Sequence, residues 1–146
     1  WMKVSDTISF FQDMYADFDL VKANELVRYM ELDLKQKVSS LSTGQRARLK
    51  ISLTLARRAK IYMLDEPLNG LDPISREKIK ETIIEQFDYE GVMIISTHLV
   101  TEIEQILDEV IFLNQGELCL QGPTEDLRIQ KGKGLEEIYK EVFRHA

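Results

Sequence analysis

The chain has 146 residues, close to one average domain, and its 44% apolar and 30% charged residues are the composition of a globular protein able to bury a core, not of a disordered tail. Nineteen basic against twenty-five acidic residues leave a net charge of −6, which argues against a dedicated nucleic-acid binder with a strongly basic face. No apolar run approaches the roughly 20 residues that cross a bilayer. Cys119 is the single cysteine, which excludes an internal disulfide, argues against a cysteine zinc site and fits a reducing, intracellular setting. The start, Trp1-Met2-Lys3, carries no secretory signal pattern.

The first forty residues read as helical. Val4, Ile8, Phe11 and Tyr15 recur at steps of four, three and four, with Ser5 as the expected N-cap. The polar turn Asp17-Phe18-Asp19 opens a second helix carrying Leu26, Val27 and Met30. Leu41-Ser42-Thr43-Gly44-Gln45 is a polar turn that feeds a third helix from about Arg46 to Arg58, with Leu49, Leu53 and Ala56 on one face. Ile61–Leu64 has the length of a buried strand and ends in Asp65-Glu66-Pro67. Asn69-Gly70 marks a turn, and Asp72-Pro73 supplies an N-cap with proline at the first helical position. The helix behind it puts Ile79, Ile83 and Phe87 on one stripe.

Val92–Ile95 is a second apolar strand, ending at Ser96-Thr97-His98, and an amphipathic helix with Leu99, Ile103, Ile106 and Leu107 follows. Val110–Leu113 and Glu117–Leu120 flank Asn114-Gln115-Gly116 and predict a hairpin. Gly122-Pro123-Thr124 opens a short helix, and Leu135, Ile138, Tyr139, Val142 and Phe143 form the clearest helical stripe of the chain. Apolar strands without alternation, separated by helices, predict a parallel sheet covered on both faces.

Three polar clusters fall at the ends of these elements, where α/β folds carry chemistry. Two adjacent carboxylates, Asp65 and Glu66, end a strand. One could hold magnesium through water while the other orients or deprotonates an attacking water; alone, the pair reads first as a solvated turn with helix-capping value. The small residues of Ser42–Gln45 precede a helix, so backbone amides and the helix N-terminus could receive an anion; alone, they read as an ordinary cap. His98 could bond a phosphate oxygen or a water; alone, it reads as a histidine bonded to backbone.

Together and in this order the clusters resemble the ATPase domain of the ATP-binding cassette (ABC) family. Leu41–Gln45 resembles its signature loop, Ile61–Pro67 its Walker B strand, Asn69–Asp72 its D-loop, and His98 its switch histidine. The resemblance covers nearly the whole chain. It implies a P-loop NTPase-like α/β fold with a parallel sheet, of which this would be the C-terminal part: a helical signature subdomain over residues 1–58 and part of the catalytic core over 59–146. It implies ATP and Mg2+ as cofactors. By the same resemblance Asp65 would hold magnesium through water, Glu66 would polarise the hydrolytic water and His98 would contact the γ-phosphate. Ser42, Gly44 and Gln45 would close on ATP held by the opposite subunit of a head-to-tail dimer, and Asp72 would belong to the loop linking the two sites. Thr43 stands where the signature usually has glycine, and Asn69 where the D-loop commonly has serine.

The phosphate loop G-x-x-x-x-G-K-[ST] does not occur in the chain. Its only Gly-Lys pair is Gly132-Lys133, with Leu127 where the first glycine would stand. Without that loop the phosphates lack their amide cradle and lysine. The expectation is therefore a C-terminal part of a longer protein whose N-terminal part holds the loop, with Trp1 as a cut point, and a chain that alone neither grips nor hydrolyses ATP. The leading function is the cytoplasmic ATPase subunit of a transporter, peripheral on the inner face of the membrane through permease subunits and paired with a second ATPase subunit, without nucleic acid. The alternatives are a soluble cassette ATPase acting on ribosomes or DNA, and a non-catalytic regulatory fragment. Of the remaining polar residues, the basic stretch Arg46, Arg48, Lys50, Arg57, Arg58 and Lys60 reads first as a solvated helix face. Cys119 reads as a small apolar residue and His145 as inert.

Overall fold

The computed structural model describes residues 1–87 and 91–144; His145 lies outside them. The chain forms two compact units, Trp1–Thr97 and His98–Ala146.

In the first unit, α1 (Val4–Met14) and α2 (Leu20–Tyr29) precede α3 (Thr43–Leu55). The N-cap of α1 is Lys3, not Ser5. Val4 is wholly buried and already helical, so Ser5 falls inside the first turn, and the Lys3 amide donates to the Asp6 carboxylate at 2.9 Å. Asp19 caps α2 by accepting from the Lys22 amide at 3.0 Å. Bonds from Lys22 and Arg58 hold the Asp19 carboxyl below its ordinary range. Helix α3 starts three residues before the expected Arg46, because Ser42 and Gln45 cap it reciprocally. Its buried stripe of Leu49, Leu53 and Ala56 is the expected one.

Strand β1 (Ile61–Asp65) and strand β2 (Val92–Ser96) pair in parallel, with Ile61 opposite Val92 and Asp65 opposite Ser96. Between them runs α4 (Pro73–Gln86), capped by Asp72, with Ile79 and Ile83 buried. The sheet is not covered on both faces among the described residues. Tyr62 and Leu64 are buried, whereas Ile61, Met63, Val92 and Ile94 are 50–74% exposed. The face carrying Tyr62 and Leu64 is thus the covered one.

In the second unit, α5 (Val100–Ile103) is a single turn continued by a tight 3-10 turn over Glu104–Ile106. The helix expected over Leu99–Leu107 is cut short because the chain must straighten into β3 (Glu109–Asn114). That strand pairs antiparallel with β4 (Glu117–Pro123). Gln115 and Gly116 join them with φ of 49° and 84°, the two positive angles of a type I′ hairpin turn. Helix α6 (Thr124–Lys131) ends at Gly132, φ 61°, the left-handed C-cap that favours glycine. Helix α7 (Leu135–Arg144) lays its stripe on the hairpin. Leu135 and Ile138 are wholly buried, and the Phe112 ring meets Tyr139 edge-on at 5.6 Å and Phe143 at 6.2 Å.

Candidate functional site

The site is built on the C-terminal ends of the two parallel strands. Register puts Ser96 beside Asp65 on one sheet face, and the Ser96 hydroxyl donates a short hydrogen bond to the Asp65 carboxylate. One residue on, the chain leaves the sheet abruptly. Glu66 has φ +44°, a left-handed angle that costs a non-glycine residue about 1 kcal/mol or more. Bonds on both sides of the turn hold it there. The Glu66 amide donates to the Ser96 carbonyl at 2.8 Å, and its carbonyl accepts from the Asn69 amide at 3.2 Å. The Thr97 hydroxyl donates to Glu66 Oε2 at 3.0 Å. The left-handed backbone and the Thr97 hydroxyl together restrict where the Glu66 carboxylate can lie.

Beside the carboxylates a cleft of about 610 Å³ opens between α3 and the end of β1, with Thr43, Arg46 and Lys50 on one side and Asp65, Glu66 and Asn69 on the other. Among the described residues no three His, Cys, Asp or Glu side chains gather to hold a metal. Asp65 nevertheless offers an exposed hard oxygen donor, and Mg2+ typically takes only one or two carboxylates, the rest being water and phosphate. The residues present therefore fit a water-bridged magnesium.

The Ser42 amide donates to Gln45 Oε1 at 2.9 Å and the Gln45 amide to Ser42 Oγ at 3.1 Å, a reciprocal capping box. Each side chain spends one acceptor on the cap. The Ser42 hydroxyl proton and the Gln45 amide hydrogens remain capable of donating to an anion. Thr43, the departure from the usual glycine, is exposed on the cleft side, so its branched side chain displaces nothing. Gly44 is buried, and a methyl group there would lie 2.5 Å from Ser75 Oγ and 2.9 Å from Asp72 Oδ2. Asp72 accepts from the Ser75 amide at 2.9 Å and from its hydroxyl at 2.7 Å. Those two bonds, with the more distant Arg48 charge, hold the Asp72 carboxyl below its ordinary range.

The structure thus brings Asp65 and Glu66 together with Ser96 and Thr97, and Gly44 together with Asp72. His98 is exposed, two residues past β2, and begins the second unit. The basic stretch divides. Arg57 pairs with Asp17 at 2.8 Å and lies over the Tyr15 ring, and Arg58 pairs with Asp19 at 2.9 Å. Arg48 donates to the Met30 carbonyl at 2.8 Å. Arg46 and Lys50 line the cleft. Sequence reasoning gave no role to Ser96, Thr97 or Ser75. Two small hydroxyl residues ending a strand that follows another strand ending in acids were the available signal for the first two. Cys119 is exposed rather than packed, because it lies beside the register shift of the hairpin.

Two parallel strands, the first ending in the adjacent carboxylates Asp65 and Glu66 and preceded by a tightly capped helix, define an α/β core. Residues 6–69 match the ABC transporter family. The chain is 41% identical over 106 residues to the lantibiotic transport ATP-binding protein SrtF of Streptococcus pyogenes, covering 72% of this chain and 44% of that protein. It is 35% identical over 107 residues to the phosphate import ATP-binding protein PstB 2 of Lactobacillus acidophilus, covering 73% of this chain and 42% of that protein. The solved structure of an ATP-binding subunit of an ABC transporter superposes with a TM-score of 0.80 at 24% identity, over 97% of this chain and 62% of that one; this likeness carries the fold. Over these stretches the chain is similar to the ATP-binding proteins of the ABC transporter family. It spans less than half the length of the curated relatives it matches.

Proposed function

We propose that this chain supplies the signature, Walker B, D-loop and switch residues of an ATP-hydrolysing subunit that powers a membrane transporter. The observation that carries this reading is the strand-end constellation: Glu66 held at a strained angle with its carboxylate fixed by Thr97, beside Asp65 fixed by Ser96. In this reading Asp65 holds Mg2+ through water, and the bound ion would neutralise phosphate charge. Glu66 orients the attacking water and takes its proton, and His98 bonds the terminal phosphate. Ser42, the amides around Gly44, and Gln45 donate to ATP held by a second ATPase subunit, while Asp72 keeps the loop between the two sites. Hydrolysis of phosphoanhydrides is mainly positioning and charge stabilisation, so ligands from two subunits can couple chemistry to closure. Residues 1–58 act as the helical signature subdomain and 59–146 as part of the catalytic core, the phosphate loop being supplied by another part of the protein.

The relatives' names, one a lantibiotic transport protein and one a phosphate importer, favour permease subunits as partners and a position on the cytoplasmic face of a membrane. Among the described residues no helix is long and apolar enough to cross one. In the complete ATPase, Glu66→Gln should retain ATP, accumulate the closed dimer and lower phosphate release about a hundredfold or more. Wild-type turnover in that variant would remove Glu66 as the base.

A further inference from the structure

A close approach away from Asp65 and Glu66 lies where α3 begins against the start of α4. Gly44 is buried with no room for a side chain. A methyl group there would meet Ser75 Oγ at 2.5 Å, Asp72 Oδ2 at 2.9 Å and Ser75 Cβ at 3.2 Å. The seat cannot easily give way. Ser75 is 2% exposed, its hydroxyl is committed to Asp72 Oδ2 and its amide to Asp72 Oδ1, and the same carboxylate caps α4. One turn further along α3, on the same face, Arg48 is bonded to the Met30 carbonyl at 2.8 Å. Met30 leads into Glu31, which is bound in turn by Lys78 of α4 at 2.6 Å. Helix α3 is therefore fixed to the start of α4 at Gly44, and the turn after α2 ties both helices a second time.

We propose that Ser75 is a positioning residue for the signature loop. Its hydroxyl, locked on Asp72, forms the floor on which Gly44 sits, so that the Ser42–Gln45 loop and the Asn69–Asp72 loop of one subunit keep a fixed register and move as one body. This rests on reading those loops as the signature and D-loop, and it gives the buried glycine a task apart from its amide: it removes the side chain that would pry the loops apart. Close packing without a compressible group between them transmits a displacement of one loop directly to the other.

The test is second-site rescue in the complete ATPase. Gly44→Ala should lower kcat/KM for ATP at least tenfold. Adding Ser75→Ala removes the 2.5 Å obstacle and frees Asp72 Oδ2 to shift, and should recover at least fivefold of that loss. A double variant no better than Gly44→Ala alone overturns the proposal, because a glycine needed only for its approach to phosphate would gain nothing from a change at Ser75. Hydrogen exchange provides a readout independent of nucleotide. In Ser75→Ala the protected amides of Gln45 and Arg46 should exchange at least tenfold faster, and unchanged rates there overturn the proposal even if Gly44→Ala does not fold. Glu66→Gln measured in parallel separates the two failures: if it turns over like wild type the ATPase reading falls, while the exchange result still decides the role of Ser75.

Discussion

Glu66, just after β1, and Asp72, just before α4, flank their elements in opposite ways. Glu66 is forced into a left-handed angle and held by groups from β2, whereas Asp72 relaxes into an extended angle and caps the helix it precedes. The Asp72 carboxyl is held below its ordinary value of 3.8, first by the Ser75 hydroxyl and then by the Ser75 amide. A carboxyl lowered in the folded state contributes stability above its unfolded value and loses it as pH falls through the folded one. Asparagine caps a helix about as well without charge. The advantage of the wild type over Asp72→Asn in urea midpoint should therefore be constant near neutrality and shrink below about pH 3.8. A difference that persisted unchanged to pH 2.5 would detach Asp72 from acid stability. The residue types at both positions were legible in the sequence. The hydroxyls that fix them were not, because Thr97 reaches Glu66 across 31 residues of chain and only strand pairing brings the two together.

Among the elements, α7 was the most legible and α3 the most misleading. The apolar offsets of α7 match one helical face, and the structure buries Leu135 and Ile138 completely. Truncating Ile138 to alanine should leave a cavity under the hairpin and cost about 3 kcal/mol, read as an earlier denaturant midpoint with loss of the Tyr139 environment. A cost below about 1 kcal/mol would mean that α7 does not form this core. Helix α3 begins at Thr43 rather than at Arg46 because Ser42 and Gln45, at S-x-x-Q spacing, close a capping box that draws the polar turn into the first turn of the helix. Periodicity also overextended the helix after β2, where the short link to β3 prevails over an apolar pattern that would suit two more turns. The parallel pairing of β1 and β2 was legible from two apolar runs separated by a helix. Which faces would be covered was not, since an unalternating run looks the same whether one or both faces are packed.

At the scale of the whole molecule, the sheet face carrying Ile61, Met63, Val92 and Ile94 is an open apolar surface of the first unit. Exposed contiguous apolar area on a two-stranded sheet invites pairing with another copy. The chain by itself should therefore self-associate with rising concentration in light scattering. Met63→Lys together with Ile94→Lys should reduce that association, and a monomer at millimolar concentration before any substitution would refute it. The same strands carry a further consequence for folding. Side chains alternate faces along a strand, so a slip of one residue between β1 and β2 would turn the Ser96 hydroxyl away from Asp65 and carry the Ser96 carbonyl away from the Glu66 amide. Only one alignment satisfies both bonds. The polar groups at the strand ends thus act as a checksum on assembly: a chain that has paired its two apolar runs out of step cannot form the acidic corner, and correct geometry there certifies that a slow, non-local pairing has been completed.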